Sequence, residues 1–198
     1  MSYELYVVDT ETTGLDFVVN DPIEISIYSL SNDSQQTCLL KPINKENISP
    51  DALRKNGHQL EDLLGHTKYG RENYLDPDKV IVDIENWLGE DNVSSSDRLL
   101  VGHNVNFDKQ MLLSLWKKLN SSGTFPFNEK YVLDTMQIEF FLDHCKGEYA
   151  EWYNLGSVIK KYGVTNAKAH SAAEDTKATV GLFRKQTDFF RKVLKANS

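Results

Sequence analysis

An apolar segment near the N-terminus ends in two acidic residues separated by a single threonine. Residues 4–8 are rich in apolar and β-branched side chains, which predicts a buried strand, and Asp9 and Glu11 follow directly. Alternate residues of a strand point to the same face, so we expect both carboxylates on one side of a sheet. Two like charges this close repel each other, and a divalent cation between them would remove that cost. The pair therefore predicts a metal site at the end of the first strand.

The hydrophobic pattern of the whole chain predicts an α/β domain with a mixed sheet. Period-two alternation over residues 23–30 is typical of a half-buried strand, and residues 37–40 indicate a returning strand. Together with the first strand these segments predict a three-stranded meander. Apolar strands at residues 99–103 and 131–134 each precede an amphipathic helix, as in α/β proteins. Residues 65–76 are polar and irregular, which predicts a loop.

Several helix boundaries are also visible in the sequence. Ser49-Pro50 and Asp76-Pro77 combine a capping side chain with proline at the first helical position, which is typical of a helix start. Gly57 is expected to end the first of these helices. Asn154 is expected to cap a later helix, and the last helix is expected to begin near Ala172.

Composition is that of an ordinary globular protein and excludes several other classes. No segment reaches the roughly 18 apolar residues of a membrane span, and the N-terminus lacks a signal-peptide pattern. Cys38 and Cys145 are far apart, which argues against a disulfide framework or zinc site and predicts a reducing, cytoplasmic environment. A net charge of −7 argues against a passive nucleic-acid coat protein. It does not argue against an enzyme that binds metal through carboxylates.

Three islands of acidic and polar residues carry the chemistry. They cover residues 9–15, 103–108 and 170–175, and each lies where a predicted strand ends or a predicted helix begins. These are the positions at which α/β sheets place their ligand sites. We therefore expect the three islands to meet at one edge of the sheet.

In order and spacing, the three islands resemble the DEDDh exonucleases, the group similar to the proofreading epsilon subunit of bacterial DNA polymerase III. The matching residues are Asp9-Thr10-Glu11-Thr12-Thr13-Gly14, His103-Asn104 with Phe107-Asp108, and His170 with Ala172 and Asp175. The resemblance implies a ribonuclease H-like fold, in which a mixed five-stranded sheet (a three-stranded antiparallel meander plus two parallel strands) is flanked by helices. We expect a single exonuclease domain over residues 1–198, with its core at 4–184 and the C-terminal helix end at 185–198.

The resemblance also assigns roles to individual side chains. It implies two divalent cations, Mg²⁺ or Mn²⁺, with Asp9 bridging both ions and His170 acting as the general base that deprotonates the attacking water. The implied metal ligands are Asp9, Glu11, Asp108 and Asp175. The residues expected to contact the terminal nucleotide or to orient the substrate are Thr12, Thr13, Gly14, Leu15 and Asn104.

The predicted activity is that of a metal-dependent 3′→5′ exonuclease that releases nucleoside 5′-monophosphates from DNA. One alternative is an RNA-directed 3′→5′ exoribonuclease, similar to oligoribonuclease or to RNA-trimming enzymes. Another is a catalytically idle nucleic-acid-binding or polymerase-associated module, although all five expected catalytic side chains are present. The expected partner is the 3′ end of DNA or RNA, in single-stranded form, with no membrane. A further alternative is a proofreading subunit whose activity depends on a polymerase partner. Because the sequence stops soon after the domain, we expect an enzyme that works alone.

Other polar and aromatic residues have simpler explanations. His58 and His144 show no pattern of partners and are interpreted as ordinary histidines. His103 is interpreted as a structural histidine beside the site, and Asp134 as a helix cap or an acid at the edge of the core. Trp116 is interpreted as a core residue.

Overall fold

The computed structural model describes residues 3–65, 74–119 and 124–196. The strands are β1 (Glu4–Thr12), β2 (Pro22–Ser29), β3 (Ser34–Leu39), β4 (Arg98–Gly102) and β5 (Val132–Asp134). The α-helices are α1 (Pro50–Asn56), α2 (Leu60–Leu63), α3 (Pro77–Gly89), α4 (Val105–Lys118), α5 (Thr135–Lys146), α6 (Leu155–Lys161) and α7 (Ala172–Ala196). A short 3₁₀ turn, Ser95–Asp97, precedes β4. Residues 66–73 of the loop predicted for 65–76 lie outside the described part of the chain.

The five strands form one mixed sheet in the order β3-β2-β1-β4-β5. The first three strands are antiparallel neighbours, and β4 and β5 run parallel to β1. The predicted meander with two added parallel strands is therefore confirmed. Because β1 and β4 are parallel, both strands end at the same edge, and the segments that follow them are brought together there.

The central strand β1 is buried on both faces. Tyr6 and Val8 join the larger core beneath α3 and α4, whereas Val7 packs on the other face against Val180 and Phe183 of α7. Side chains alternate along a strand, so Asp9 and Glu11 continue the series that faces α7. This parity directs both carboxylates towards the N-terminal end of α7.

Strand β2 is more buried than its sequence pattern predicts. Seven of its eight residues are buried, among them Glu24 and Ser26. The prediction of a half-buried strand was wrong because helices cover both faces of the sheet at β2. The face with polar residues lies under α7, where the Thr176 hydroxyl donates to the backbone oxygen of Ser26 over 3.4 Å.

Helix α1 is attached at both ends to the chain that leaves β1. The predicted cap is confirmed, because the Ser49 hydroxyl accepts a hydrogen bond from the Ala52 amide and the helix ends at Gly57 with φ of 79°. The Ser49 amide donates to the backbone oxygen of Thr13 over 2.7 Å. At the other end, the Asn56 side chain donates to the backbone oxygen of Thr12 over 3.2 Å. These bonds hold α1 against the first acidic island.

None of the helices in the described residues is long and apolar enough to cross a membrane. The two cysteines are both free thiols, Cys38 in the core and Cys145 on the surface. The prediction that they form no disulfide is therefore confirmed.

Candidate active site

The three acidic islands meet at the edge of the sheet where β1 ends. Asp9 and Glu11 come from β1, Asp108 from the first turn of α4, and Asp175 from the first turn of α7. Ligand atoms of Glu11, His170 and Asp175 all lie within 4.8 Å of one another. A carboxylate pair and an imidazole at this separation form a group that could hold a metal ion.

Asp175 is oriented by the turn that leads into α7. Its Oδ2 accepts a hydrogen bond of 3.1 Å from the backbone amide of His170, and its Oδ1 accepts one from the side chain of Asn166. His170 has a left-handed backbone conformation, with φ of 63°, and its side chain is exposed to solvent. The turn therefore brings the imidazole beside Asp175 rather than into the core.

Asp108 lies behind Asp9 and is almost completely buried. Its Oδ1 accepts hydrogen bonds from the Thr10 amide over 2.9 Å and from the Thr10 hydroxyl over 2.8 Å. Asp108 lines neither of the two cavities described below. The structure thus places Asp108 close enough to Asp9 for the two charges to interact. Asp108 lies below the residues that line the cleft.

The loop before α4 is built around Asn104. This residue adopts a left-handed conformation, with φ of 65°, and its amide donates to Oδ1 of Asp134 over 3.0 Å. The same oxygen accepts from the Met136 amide over 2.9 Å, which confirms that Asp134 is a helix cap. His103 forms hydrogen bonds with the Thr135 hydroxyl and with the backbone oxygen of Tyr153, as expected of a structural histidine.

Burial, followed by the charges of neighbouring acids, raises the pKa values of three acids in the site. Burial, followed by the charges of Asp108 and Asp175, raises the pKa of Asp9 well above its usual value. Burial, followed by the same charge of Asp175, raises the pKa of Glu11 to about 7. Burial also raises the pKa of Asp108 to about 7, even though the hydrogen bonds from Thr10 act in the opposite direction. Without a cation, these carboxyl groups therefore stay protonated at pH values at which ordinary carboxyl groups are ionised.

The raised pKa values predict an unusual pH dependence of stability for the metal-free protein. Between about pH 4.5 and about pH 7 the folded state binds more protons than the unfolded state, so the free energy of unfolding falls as the pH rises. For Glu11 alone, the shift to about 7 corresponds to roughly 3 kcal/mol. We expect the Tm in chelator to fall by about 6–12 °C across this interval.

Thermal melts in chelator at stepped pH would measure this effect. Glu24 and Asp91 have lowered pKa values, so the stability that they contribute is lost only at more acidic pH. Their titration therefore does not account for a fall in Tm between about pH 4.5 and about pH 7. Glu11→Gln should make the fall in Tm smaller without abolishing it, because Asp9 and Asp108 keep raised pKa values. Mg²⁺ added at the high-pH end should restore the lost Tm. A flat profile for the unmodified protein would show that the acids are not crowded as described.

Two adjoining cavities open over the acids. The first has a volume of about 570 Å³, and the second of about 720 Å³. They share Asp9, Lys55, His170 and Asp175, so they meet directly above the acidic cluster. A chain molecule that enters one cavity and leaves through the other would pass over these four residues.

The predicted substrate-contacting residues divide between the two cavities. The first is lined by Thr12, Gly14 and Leu15, and Leu15 is 82% exposed. The second is lined by Asn104. Gly14 is required by close packing, because a Cβ atom there would lie 2.4 Å from Oδ1 of Asn20.

Thr13 does not reach the cleft, which corrects the expectation that it contacts substrate. Its side chain is fully buried and lines neither cavity. The Thr13 hydroxyl accepts a hydrogen bond of 3.0 Å from the Asp21 amide, and the Thr13 amide donates to the Asp21 oxygen over 2.9 Å. The register of β1 against β2 is irregular between Glu11 and Thr12, so the alternation that directs Asp9 and Glu11 towards α7 does not continue to Thr13. Its side chain turns inward and fixes the end of β1 to the start of β2.

Glu24 and His58 are part of the site's surroundings but have no recognisable pattern in the sequence. Glu24 is the cross-strand neighbour of Glu11, and its carboxylate accepts from the Ala173 amide at the start of α7 over 3.2 Å. His58 lies 3.4 Å from the other oxygen of Glu24 and also hydrogen-bonds with the Tyr74 hydroxyl. His58 is thus a buried histidine that hydrogen-bonds within the fold and lines neither cavity. Only the register of β1 against β2 reveals this arrangement.

Residues 6–183 match the profile of the RNase_T family, whose description is exonuclease. The chain belongs to this exonuclease family. The resemblance to DEDDh exonucleases and the ribonuclease H-like fold predicted from the sequence are confirmed. Membership in the family places the chain among nucleases.

Curated relatives of this exonuclease-family chain include much longer proteins. It is 28% identical over 191 residues to the PolC-type DNA polymerase III of Thermotoga maritima, and 25% identical over 181 residues to that of Staphylococcus aureus. These alignments cover 94% and 91% of this chain but only 12% and 11% of the relatives. The chain therefore spans about an eighth of the length of these relatives.

Solved structures with the same fold are also exonucleases or nucleases by name. Escherichia coli exonuclease I in complex with a dT13 oligonucleotide has a TM-score of 0.73 at 16% identity, over 98% of this chain and 44% of that chain. Cell-death related nuclease 4 also has a TM-score of 0.73 at 16% identity, over 95% of this chain and 64% of that chain. At this level of identity, the likeness shows the fold.

Proposed function

We propose that this protein is a metal-dependent 3′→5′ exonuclease of the DEDDh type that hydrolyses DNA from its 3′ end by a two-metal mechanism. The observation that carries the proposal is the convergence of Glu11, His170 and Asp175 within 4.8 Å, with Asp9 beside them at the junction of two cavities. The similarity to PolC-type DNA polymerases and to exonuclease I in complex with a dT13 oligonucleotide supports DNA, in single-stranded form, as the substrate.

The residues present fit hard divalent cations such as Mg²⁺ or Mn²⁺. The donors are carboxylate oxygens, which such ions prefer. Burial, followed by the charges of neighbouring acids, has raised the pKa values of Asp9 and Glu11, and a bound cation would offset both effects. The residues that would hold the ions are Asp9, Glu11, Asp175 and, from beneath, Asp108. When bound, divalent cations would supply Lewis-acid activation of the attacking water and charge compensation at the phosphate.

The side chains of the chain itself bind, orient and move protons. His170 accepts a proton from the attacking water at an imidazole nitrogen, and its exposure lets that proton pass to solvent. The water oxygen forms a bond to phosphorus while the bond from phosphorus to the 3′ oxygen breaks. That oxygen takes up a proton and becomes the new 3′ hydroxyl, and a nucleoside 5′-monophosphate leaves. Thr12, Gly14 and Leu15 form the wall that receives the terminal nucleotide.

End-labelled oligonucleotides would test the proposal. We expect 3′-labelled single-stranded DNA to release labelled mononucleotide at once in Mg²⁺ or Mn²⁺, and 5′-labelled strands to shorten stepwise. Chelator should abolish both. A faster reaction with matched RNA would favour an exoribonuclease instead. Release of mononucleotide from the 5′ end, or cleavage that resists chelator, would contradict the proposal.

A polymerase partner and a cytoplasmic location stay predictions, as does the single domain over residues 1–198.

A further inference from the structure

Lys55 is a cation at the point where the two cavities meet. It lies in the last turn of α1 and lines both cavities, together with Asp9, His170 and Asp175. Among the described residues, no other lysine or arginine lines either cavity. A single ammonium group therefore faces the same space as the acidic cluster.

The backbone that carries Lys55 is firmly held. Its neighbour Asn56 is buried and hydrogen-bonds to the backbone of Thr12, while Ser49 at the other end of α1 hydrogen-bonds to that of Thr13. Both anchoring points belong to the segment that leaves β1. The position of Lys55 relative to Asp9 and Glu11 is consequently fixed by the fold, although its side chain keeps its rotamer freedom.

Lys55 takes part in none of the ion pairs found among residues 3–65, 74–119 and 124–196, whereas its neighbour Arg54 pairs with Asp51. Its charge does act on the site, because it lowers the pKa of Glu11 against the larger effect of burial. A basic residue near a helix C-terminus often only complements the helix dipole. Here α1 has seven residues and Arg54 already provides that charge, so the dipole alone does not explain a lysine that faces the cleft.

The charges around Lys55 change when the site is loaded. Two divalent cations carry as much positive charge as four carboxylates carry negative charge, so a loaded site no longer attracts an ammonium group. A phosphodiester over the cations does attract it, and the attraction grows as negative charge builds on the oxygens of the phosphoryl group in the transition state. Lys55 and the acids share the junction of the cavities, so the phosphate that the ammonium group of Lys55 can reach is the one attacked there.

We propose that Lys55 binds the phosphate of the 3′-terminal linkage, the linkage that is cut, and so serves as a positioning and charge-stabilising residue of this exonuclease. The inference rests on the proposed function. It adds a substrate contact outside the acidic islands, made by a residue that the sequence does not distinguish from a solvated helix end.

A binding cycle would test whether Lys55 and this phosphate contact each other. Unmodified protein and Lys55→Met would be titrated with a fluorescent oligonucleotide whose 3′-terminal linkage is either a phosphodiester or an uncharged methylphosphonate. Ca²⁺ would replace Mg²⁺, and electrophoresis would confirm that the strand stays intact. We expect Lys55→Met to weaken binding of the phosphodiester by roughly 10-fold to 100-fold and binding of the methylphosphonate by less than about twofold. Equal losses on both strands would overturn the proposal.

The salt dependence of binding provides an independent readout. The slope of log affinity against log salt should become shallower by about 0.7 in Lys55→Met, the value for one phosphate contact on a single strand. Lys55→Arg should keep the slope, and the matched control Lys79→Met, an exposed position on α3 that lines neither cavity, should leave slope and Tm unchanged. If unmodified protein fails to cleave any strand in Mg²⁺, the proposed function fails. If the unmodified protein cleaves DNA, but the effects of Lys55→Met and of the methylphosphonate on binding are additive, only the proposed role of Lys55 fails.

Discussion

Asp9→Asn is expected to lower the rate of DNA hydrolysis by at least about 10³-fold and to raise the Tm of the metal-free protein. Asp9 lies where the two cavities meet, and burial, followed by the charges of Asp108, Asp175 and Glu11, raises its pKa. Loss of its charge removes several kcal/mol of metal-dependent stabilisation of the transition state. A loss of about 4 kcal/mol corresponds to a 10³-fold lower rate. Asparagine keeps the size and polarity of the side chain, so the fold should persist.

The gain in stability should itself depend on pH. Asparagine resembles the protonated form of Asp9, so the variant and the unmodified protein should melt alike in acid. As the pH rises, Asp9 of the unmodified protein ionises beside the other acids, which costs stability. Asparagine cannot ionise, so the difference in Tm between the two proteins should grow. In Mg²⁺ the order should reverse, since only the unmodified protein gains stability from the ion.

Rates and melts in chelator and in Mg²⁺ would together test Asp9. The matched control is Asp78→Asn, an exposed acid in the first turn of α3 that lines neither cavity. This change should alter neither rate nor metal response. A variant of Asp9 that digests DNA at the unmodified rate would show that the acids do not form the catalytic centre.

Much of the architecture could be predicted because it depends on local signals. The strand before Asp9, the cap at Ser49 and the αL end at Gly57 each follow from a few neighbouring residues. The meeting of the three islands also follows from sequence, because parallel strands such as β1 and β4 end at one edge of a sheet.

Features that depend on long-range register could not be predicted in the same way. In the sequence, Glu24 is one polar residue in an alternating strand, which normally indicates a solvent-facing side chain. It is buried because β2 pairs with β1 so that Glu24 is the neighbour of Glu11, and because α7 begins above it. Lys55 likewise looks like a solvated helix residue until α1 is docked on the segment after β1.

The environment of Glu24 shows how the fold tolerates a further acid beside the cluster. Burial raises the pKa of Glu24, but hydrogen bonds from His58 and from the Ala173 amide outweigh that effect and leave the pKa below its usual value. Glu24 thus stays ionised and binds the start of α7, which carries Asp175. Among the described residues no hydrogen bond to the Glu11 carboxylate is found, and burial, followed by the charge of Asp175, raises its pKa to about 7. Neighbouring carboxylates therefore differ in their contacts: Glu24 fixes the helix, whereas Glu11 is one of the metal ligands that we propose.

His170→Asn is expected to lower kcat by about 10²-fold to 10⁴-fold, the usual effect of losing a general base, while the metal-dependent rise in Tm persists. Asparagine suits the test better than alanine, because His170 has φ of 63° and asparagine tolerates this left-handed conformation. The turn, and with it the hydrogen bond from the amide of residue 170 to Asp175, should therefore remain. The variant removes the imidazole and leaves the backbone in place.

The response to metal decides between the two roles that the position of His170 permits. Its ring lies within 4.8 Å of ligand atoms of Glu11 and Asp175, close enough for a ligand as well as for a base. If it is a ligand, His170→Asn should weaken the stabilisation by Mg²⁺ in the way that Asp9→Asn does. If it is the base, that stabilisation should be unchanged and only turnover should fall. His144→Asn, at a surface histidine that hydrogen-bonds with Tyr149, is the matched control and should leave both measurements unchanged. An unaltered kcat in His170→Asn would exclude proton transfer through this imidazole.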